Sequence, residues 1–205
     1  VTCQKRAGPV KYYIMRLFKW IKTALKNPRE LSTIFPSSRF LARTIADQID
    51  FSEPRDIAEL GPGDGALTGP IVDRMHPDSN LLLIEIVESF CKELSERYEK
   101  HEKGQAIEVL NRSAAELDEI CAERDIEGLD YVVSGLPLTT LPDDLSEEII
   151  ATTYETLRAG GSYIQFQYSQ DYKENIENVF GPVELHRVLL NIFPAWVYVA
   201  TKDQT

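Results

Sequence analysis

The sequence predicts an α/β domain: seven strands in one mainly parallel sheet, helices on both faces, an antiparallel hairpin at the carboxyl end, and an amphipathic helix ahead of it. Three observations carry this reading. After Pro54, short apolar runs alternate with helix-length segments, the order of a parallel sheet covered on both sides. The first run, 56–60, passes straight into a glycine-rich loop, Gly61-Pro-Gly-Asp-Gly65, and then into a stretch with the apolar spacing of a helix. The last two runs flank Ile192-Phe193-Pro194 and leave no room for a crossover helix, so they pair antiparallel.

In chain order, strands are expected at 56–60, 81–86, 106–110, 130–134, 162–168, 184–191 and 195–201. Helices fit between them near 66–75, 88–101, 114–123, 143–158 and 171–179. The helix at 66–75 rests on Leu67, Ile71, Val72 and Met75; the second strand on Leu-Leu-Leu-Ile-Glu85; the fourth on Asp130-Tyr-Val-Val-Ser134. A length of 205 residues suits one domain with a sizeable core, here 31–205 behind an arm at 1–30. Hydrophobic content of 43% and charged content of 27% are ordinary for a soluble globular protein. Cys3, Cys91 and Cys121 are too scattered for a metal cluster or a disulfide framework, which implies a reducing compartment. The most apolar stretch, 188–200, contains Asn191 and Pro194 and is too short to span a bilayer. No secretory signal is read at the amino terminus, which begins at Val1.

The net charge of −11 is unevenly spread. Eight of the 22 basic residues and none of the 33 acidic ones fall in residues 1–29, so the rest of the chain carries −19. An acidic body disfavours a long phosphate backbone and argues against nucleic acid as a partner. The basic arm needs its own explanation.

The glycine loop carries the clearest chemistry. Gly61, Gly63 and Gly65 allow backbone conformations and close approaches that side chains block. Glu59 puts a negative charge at the strand's end, where a phosphate is repelled and a cation is welcome. The pattern is neither the dinucleotide fingerprint, G-x-G-x-x-G, nor a phosphate loop, which needs Lys followed by Ser or Thr. E-x-G-x-G-x-G resembles motif I of the class I S-adenosylmethionine (SAM) methyltransferases, whose cofactor carries an amino acid tail and a sulfonium cation. That resemblance implies the seven-stranded, Rossmann-like class I methyltransferase fold which the spacing reaches independently.

Ligands of open sheets gather at the carboxyl ends of strands. Glu85, about twenty residues beyond the loop, is placed to accept both ribose hydroxyls. Ser113 stands near the position where related methyltransferases hold an Asp for the adenine amine; it equally suits a helix cap. The resemblance adds Ser38, Asp64, Ile86, Ala114, Ser134, Gly135 and Leu136 to Glu59, Gly61, Gly63, Gly65, Glu85 and Ser113 as expected cofactor contacts.

The fourth strand continues as Ser134-Gly-Leu-Pro-Leu138. In the rRNA adenine dimethyltransferases this position carries Asn or Asp, an apolar residue, then Pro-Tyr; the polar residue holds the target amine and the aromatic stacks on the flipped base. Gly135 and Leu138 stand in those two places, which argues against nucleobase methylation. With Leu141-Pro142 the segment resembles the bacterial phospholipid N-methyltransferases, which convert phosphatidylethanolamine stepwise toward phosphatidylcholine. Phe35-Pro-Ser-Ser-Arg-Phe-Leu-Ala-Arg43, Gln165-Phe-Gln-Tyr168 (with Gln167 in place of Thr) and Asn191-Ile-Phe-Pro-Ala-Trp-Val-Tyr198 resemble the same family. The likeness covers residues 12 to 200.

The arm fits a lipid substrate. On a helical wheel Tyr13, Ile14, Leu17, Phe18, Trp20, Ile21, Ala24 and Leu25 share one arc, and Lys11, Arg16, Lys19, Lys22 and Lys26 the other. An aromatic-rich apolar face opposite a basic face is the pattern of a helix lying in a membrane interface. Each cation near an anionic surface contributes about 1 kcal/mol. A helix packed on its own domain and a nucleic-acid arm are the competing readings. The expected location is the cytoplasmic face of a membrane, peripherally bound.

For catalysis, an alkylamine with a pKa of about 10.4 must lose a proton before it is a nucleophile. Tyr168, at the end of the fifth strand, is the first candidate to position it and Tyr13 the second, each with a packed aromatic as the alternative. Arg187 is a candidate for the lipid phosphate, or a surface residue. His76, His101 and His186 show no spacing with acids that suggests a metal or a base, and no metal is expected. The competing functions are N-methylation of another amine-bearing lipid such as an ornithine lipid, or of a small amine; a membrane-binding SAM-fold module without turnover; and rRNA methylation.

Overall fold

The computed structural model describes residues 39–189 and 195–204, all within one unit, Ser37–Thr205. The amphipathic helix expected within 11–26, and with it Tyr13, Leu17, Phe18, Lys19, Trp20, Ile21, Lys22 and Lys26, lies outside the described residues, as does Ser38.

The first described element, α1 (Arg39–Ala46), is a helix the strand–helix alternation did not separate. It buries Leu41, Ala42, Ile45 and Ala46 along one side, a stripe only two turns long. Then follow β1 (Asp56–Leu60), α2 (Thr68–Arg74), β2 (Asn80–Ile84), α3 (Glu88–Tyr98), β3 (Ile107–Leu110), α4 (Leu117–Ala122), β4 (Leu129–Ser134), α5 (Asp143–Thr156), β5 (Leu157–Gln167), α6 (Lys173–Phe180), β6 (Glu184–Val188) and β7 (Ala195–Thr201). The sheet order is β3-β2-β1-β4-β5-β7-β6. β1 to β5 pair parallel, and β7 lies antiparallel to both β5 and β6. The chain therefore winds outward from β1 to β3, then returns to the other side of β1 with β4. Right-handed crossovers place α2 and α3 on one face and α4 and α5 on the other. α1 packs beside α2, and α6 beside α5.

Strands covered on both faces must be apolar throughout. Leu81, Leu83 and Ile84 of β2, and Val132 and Val133 of β4, are accordingly buried, and β1 buries Ile57, Ala58 and Leu60 together with one charged residue, Glu59. The order reversal between β1 and β4 opens a crevice at their carboxyl ends, the usual ligand site of such sheets.

Most expected boundaries shift by one or two residues, and three shifts have specific causes. β5 starts five residues before the expected position. Gly160 takes φ +78°, and a Cβ on Gly161 would lie 2.8 Å from the Leu129 carbonyl, so this Gly-Gly pair lets the chain join β4 and β7 where side chains would hold it off. The helix expected at 114–123 divides into a short 3-10 turn, Ala114–Glu116, and α4, because Ser113 and Glu116 form a reciprocal cap there. β2 ends at Ile84 rather than at position 86, since the Glu85 side chain turns back toward the glycine loop.

The amino edge of the sheet is closed by ion pairs. Arg55 and Arg158 approach Asp130 at 3.5 and 3.1 Å, and the Asp56 amide donates to the same carboxylate at 2.8 Å. A cleft of about 690 Å³ opens there between Asp56, Asn80, Gly128, Arg124 and Arg158. Both of its arginines are engaged: Arg158 as above, and Arg124 with Glu108 at 2.6 Å.

Candidate active site

β1 delivers the chain to the crevice and the glycine loop turns it. Gly61, Gly63 and Gly65 take φ of +68°, +57° and +81°, in the left-handed region where glycine is favoured. Two of them also make room for neighbours. A Cβ on Gly61 would sit 2.5 Å from Leu136 Cδ2, and one on Gly65 2.7 Å from Arg97 Nη1. Around Gly63 the space is open, with none of the described residues within 4 Å of a built Cβ. Gly63 therefore forms the lip against which a ligand can lie, and Gly61 and Gly65 hold the loop's shape. Arg97, which sequence reasoning missed, donates to the Asp64 carbonyl at 2.7 Å, while Asp64 itself is exposed.

Glu59 departs from expectation. It belongs to the loop's support, but its side chain has no accessible surface, and neither carboxylate oxygen has a hydrogen-bond partner of ordinary geometry. With its whole side chain covered by the protein, its influence on a bound molecule is electrostatic. Burial pushes its pKa up to about 8; the Thr68 hydroxyl on α2 offsets part of that, and the charges of Glu85 and Asp64 add to it. An isolated buried carboxylate of this kind favours positive charge nearby.

Glu85 is where the sequence put it and is more fully used than expected. It is 6% exposed; one oxygen accepts the Gly63 amide at 3.0 Å and the other the Val87 amide at 2.8 Å. Burial pushes its pKa up, and the backbone N–H groups of Val87, Gly63 and Ile86 pull it back. Each carboxylate oxygen has a second lone pair, so the side chain can clamp the loop and still take a ribose hydroxyl. Asn111, also missed, ties the back of this subsite by donating to the Glu85 carbonyl at 3.0 Å. Its one signal in the sequence was its place just after the third strand. Ile86 is half-buried beside Glu85, and Ala114 is 9% exposed. For Ser113 the cap reading fits: its hydroxyl accepts the Ala115 amide, and Glu116 accepts the Ser113 amide in return.

The opposite wall follows β4. The Gly135 amide bonds the Leu60 carbonyl at 2.9 Å, and a Cβ on Gly135 would lie 2.8 Å from the Gly61 carbonyl. Glycine is thus required where the adenine dimethyltransferases carry their amide. Ser134 has no exposed surface, and its hydroxyl accepts the Leu136 amide at 3.3 Å, so it shapes the turn and is not a ligand contact. Leu138 is likewise buried. Gln165, fully buried on β5, fixes the turn from the side: its Nε2 donates to the carbonyls of Leu136 at 3.0 Å and Phe166 at 2.7 Å, and its Oε1 accepts from Tyr163 at 2.7 Å.

Tyr168 follows the last residue of β5, half-buried, with its ring edge-on to Phe166 at 5.9 Å. Arg187 lies exposed on β6 with its guanidinium 5.4 Å from the centre of the Trp196 ring. Both stand at the carboxyl edge; Tyr13 lies outside the described residues. Among the described residues no cluster of three His, Cys, Asp or Glu side chains can hold a metal, and no helix is long and apolar enough to cross a membrane.

Residues 24–173 match the family described as ribosomal RNA adenine dimethylase. An ornithine lipid N-methyltransferase of Singulisphaera acidiphila is 30% identical over 148 residues, covering 72% of this chain and 76% of that protein. The structure of the 1,6-didemethyltoxoflavin-N1-methyltransferase of Burkholderia thailandensis, with 1,6-didemethyltoxoflavin and S-adenosylhomocysteine bound, is similar at a TM-score of 0.71 and 15% identity, covering 98% of this chain and 93% of its own. A precorrin-6y C5,15-methyltransferase of Geobacter metallireducens is similar at 0.63 and 15% identity, over 82% and 90% of the two chains. At such identities these two structures speak for the fold alone.

Proposed function

The chain belongs to the ribosomal RNA adenine dimethylase family of class I SAM-dependent methyltransferases, and from that premise we propose that it methylates the amine of a phospholipid headgroup, phosphatidylethanolamine, toward phosphatidylcholine. The observation that carries this is at the end of β4. Gly135 is held against the Gly61 carbonyl and Leu138 is buried, so the pair that grips and stacks a nucleobase is missing from its place. An aliphatic amine needs neither. The lipid N-methyltransferase relative supports an amine-bearing lipid.

The residues present fit the cofactor. The open lip at Gly63, the spare lone pairs of Glu85 and the buried Glu59 carboxyl beneath, whose ionised form a nearby cation favours, suit a ligand with a ribose and a cationic sulfonium. Bound there, SAM supplies an electrophilic methyl group. The chain's own part is to hold a neutral amine beside it. Tyr168, whose hydroxyl is covered by the protein, flanks the amine and offers its ring to the growing ammonium. The amphipathic helix expected within 11–26 holds the protein on an anionic, cytoplasmic membrane face, and most of the acceleration comes from orientation in a water-poor site.

A second reading has its own support: the relative from Singulisphaera acidiphila is named for ornithine lipid, whose headgroup also bears a primary amine. Radiolabelled SAM incubated separately with phosphatidylethanolamine vesicles, ornithine lipid vesicles, a plain alkylamine and rRNA tests both. Label in phosphatidylethanolamine is the expected result. Label in ornithine lipid alone selects the second reading; label in rRNA alone ends both, and SAM binding without transfer to any of the four marks a module without turnover.

A further inference from the structure

We propose that Gln167, Trp196 and Arg187 form the subsite that takes the anionic oxygen of the headgroup while its amine is methylated. This rests on the reading above, that the amine belongs to a lipid headgroup. The three residues come from three adjacent strands. Gln167, the last residue of β5, is paired with Trp196 of β7, and Trp196 is paired with Arg187 of β6. Directly opposed residues of antiparallel strands share a face, so the three side chains form one row at the carboxyl edge, the edge that holds the cofactor crevice.

Two members of the row have recognition capacity that the fold leaves unused. Gln167 is 5% exposed, yet its Nε2 has no hydrogen-bond partner among the described residues. A buried donor left in that state destabilises the fold unless something else fills it. Gln165, two residues earlier on the same face of the strand, shows the contrast. Every polar atom of its amide is engaged, with Tyr163, Leu136 and Phe166. One glutamine fixes the turn after β4, and the next, one step nearer the edge, keeps a donor open. Arg187 is the second open group. It forms no ion pair among the described residues, although its neighbour His186 lies 3.2 Å from Glu184. Its guanidinium is parked over the Trp196 ring at 5.4 Å, which draws the charge from β6 back across β7 toward Gln167.

The spacing suits a short zwitterion. β4 pairs with β5, and β5 with β7, at about 4.8 Å per strand. An amine above the end of β4, with an anionic oxygen one strand spacing away, brings that oxygen between Gln167 and the Arg187 guanidinium. Aminoethyl phosphate separates the two charges by two methylenes and an ester oxygen; an ornithine headgroup separates its terminal amine from its carboxylate by four carbons. The shared chemistry is an anionic oxygen a few bonds from a primary amine. A buried amide N–H and a guanidinium serve either anion through charge-assisted hydrogen bonds.

The test uses the full chain and two variants, Gln167→Met, which keeps the volume and removes the donor, and Arg187→Gln, at an exposed position where folding is least disturbed. With S-adenosylhomocysteine present, calorimetry measures the affinity for soluble glycerophosphoethanolamine and for Nα-acetylornithine. Labelled SAM then gives KM and kcat on vesicles of phosphatidylethanolamine or ornithine lipid, with an alkylamine lacking any anion as control. Each variant is expected to bind the headgroup of the lipid that wild type methylates about ten-fold more weakly and to raise KM by the same factor. kcat within two-fold, unchanged SAM affinity and unchanged alkylamine turnover complete the expected pattern. Loss confined to the phosphate or to the carboxylate arm says which anion the row takes. Wild-type headgroup affinity in Arg187→Gln, in a protein that still methylates lipid, overturns the subsite and leaves the lipid reading intact; weaker vesicle binding with headgroup affinity unchanged does the same. Failure of wild type to methylate any lipid overturns the lipid reading first.

Discussion

The two edges of this sheet treat buried charge in opposite ways. At the amino edge Asp130 is almost wholly buried, and two arginines and a backbone amide meet it. At the carboxyl edge Glu59 is buried to a similar degree, and among the described residues only the Thr68 hydroxyl offsets its burial, with no cation beside it. Gln167 repeats the pattern there on a smaller scale. The amino edge, where β1 and β4 begin, is complete in itself; the cleft it surrounds has polar walls whose arginines are already committed. The carboxyl edge keeps polar groups without hydrogen-bond partners among the described residues.

Four measurements sharpen or break this contrast. The largest effect belongs to Glu59. Its pKa in the folded protein, about 8, stands above the unfolded value near 4.5, so the folded state prefers the protonated form. Its contribution is fully present below the unfolded value and is lost as pH rises through the folded one, to a total of about 5 kcal/mol. Glu59→Gln should remove that slope and leave the cofactor-free variant more stable than wild type at pH 9; urea titrations giving parallel pH profiles for the two proteins would mean that Glu59 is already neutralised. Next is Asp130→Ala at the other edge, which strips Arg55 and Arg158 of their shared partner. A loss of about 3 kcal/mol is expected by urea unfolding, with SAM affinity unchanged. If SAM affinity falls with it, the edges are not independent. Third, Glu85→Ala removes the acceptor for two loop amides and the ribose, and calorimetry should find SAM bound about 100-fold more weakly. Affinity at the wild-type level there would remove Glu85 from the cofactor site. Smallest is Asp47→Asn. The Asp47–Arg74 pair measures 2.6 Å, but both side chains are about half exposed, so no more than about 0.5 kcal/mol should be lost.

Much of the fold was legible because parallel strands covered on both faces leave a plain mark. Runs such as Leu81–Ile84 and Tyr131–Val133 are strands wherever they fall between amphipathic segments, and the hairpin followed from the few residues available at 192–194. What the sequence hid was local. Gly160 and Gly161 read as a loop, whereas they extend β5, because the deciding fact is how near Leu129 and Lys202 come from elsewhere in the chain. Within the site, residue types at strand ends were legible and side-chain direction was not. Glu85 faces the loop as its position suggested; Glu59, one strand over, is turned under α2 because alternate residues of β1 face opposite sides of the sheet. Asn111, Arg97 and Gln165 each reach backbone far off in the chain, which no spacing rule announces.

The close approach of Gly61 and Gly135 bears on the order in which the protein is made. One wall of the crevice is complete by Gly65, while the other belongs to β4, some seventy residues later in the chain. During synthesis the glycine loop therefore emerges long before the surface that closes it, and β1 can meet β4 only through a pairing of high sequence separation, the kind that forms slowly. A ribosome-bound chain that stops after β3 already contains Glu59, the glycine loop and Glu85 and should still ignore SAM. Retention of nascent chains on immobilised cofactor should begin only once β4 has cleared the exit tunnel, which makes cofactor capture a marker of the moment β4 meets β1.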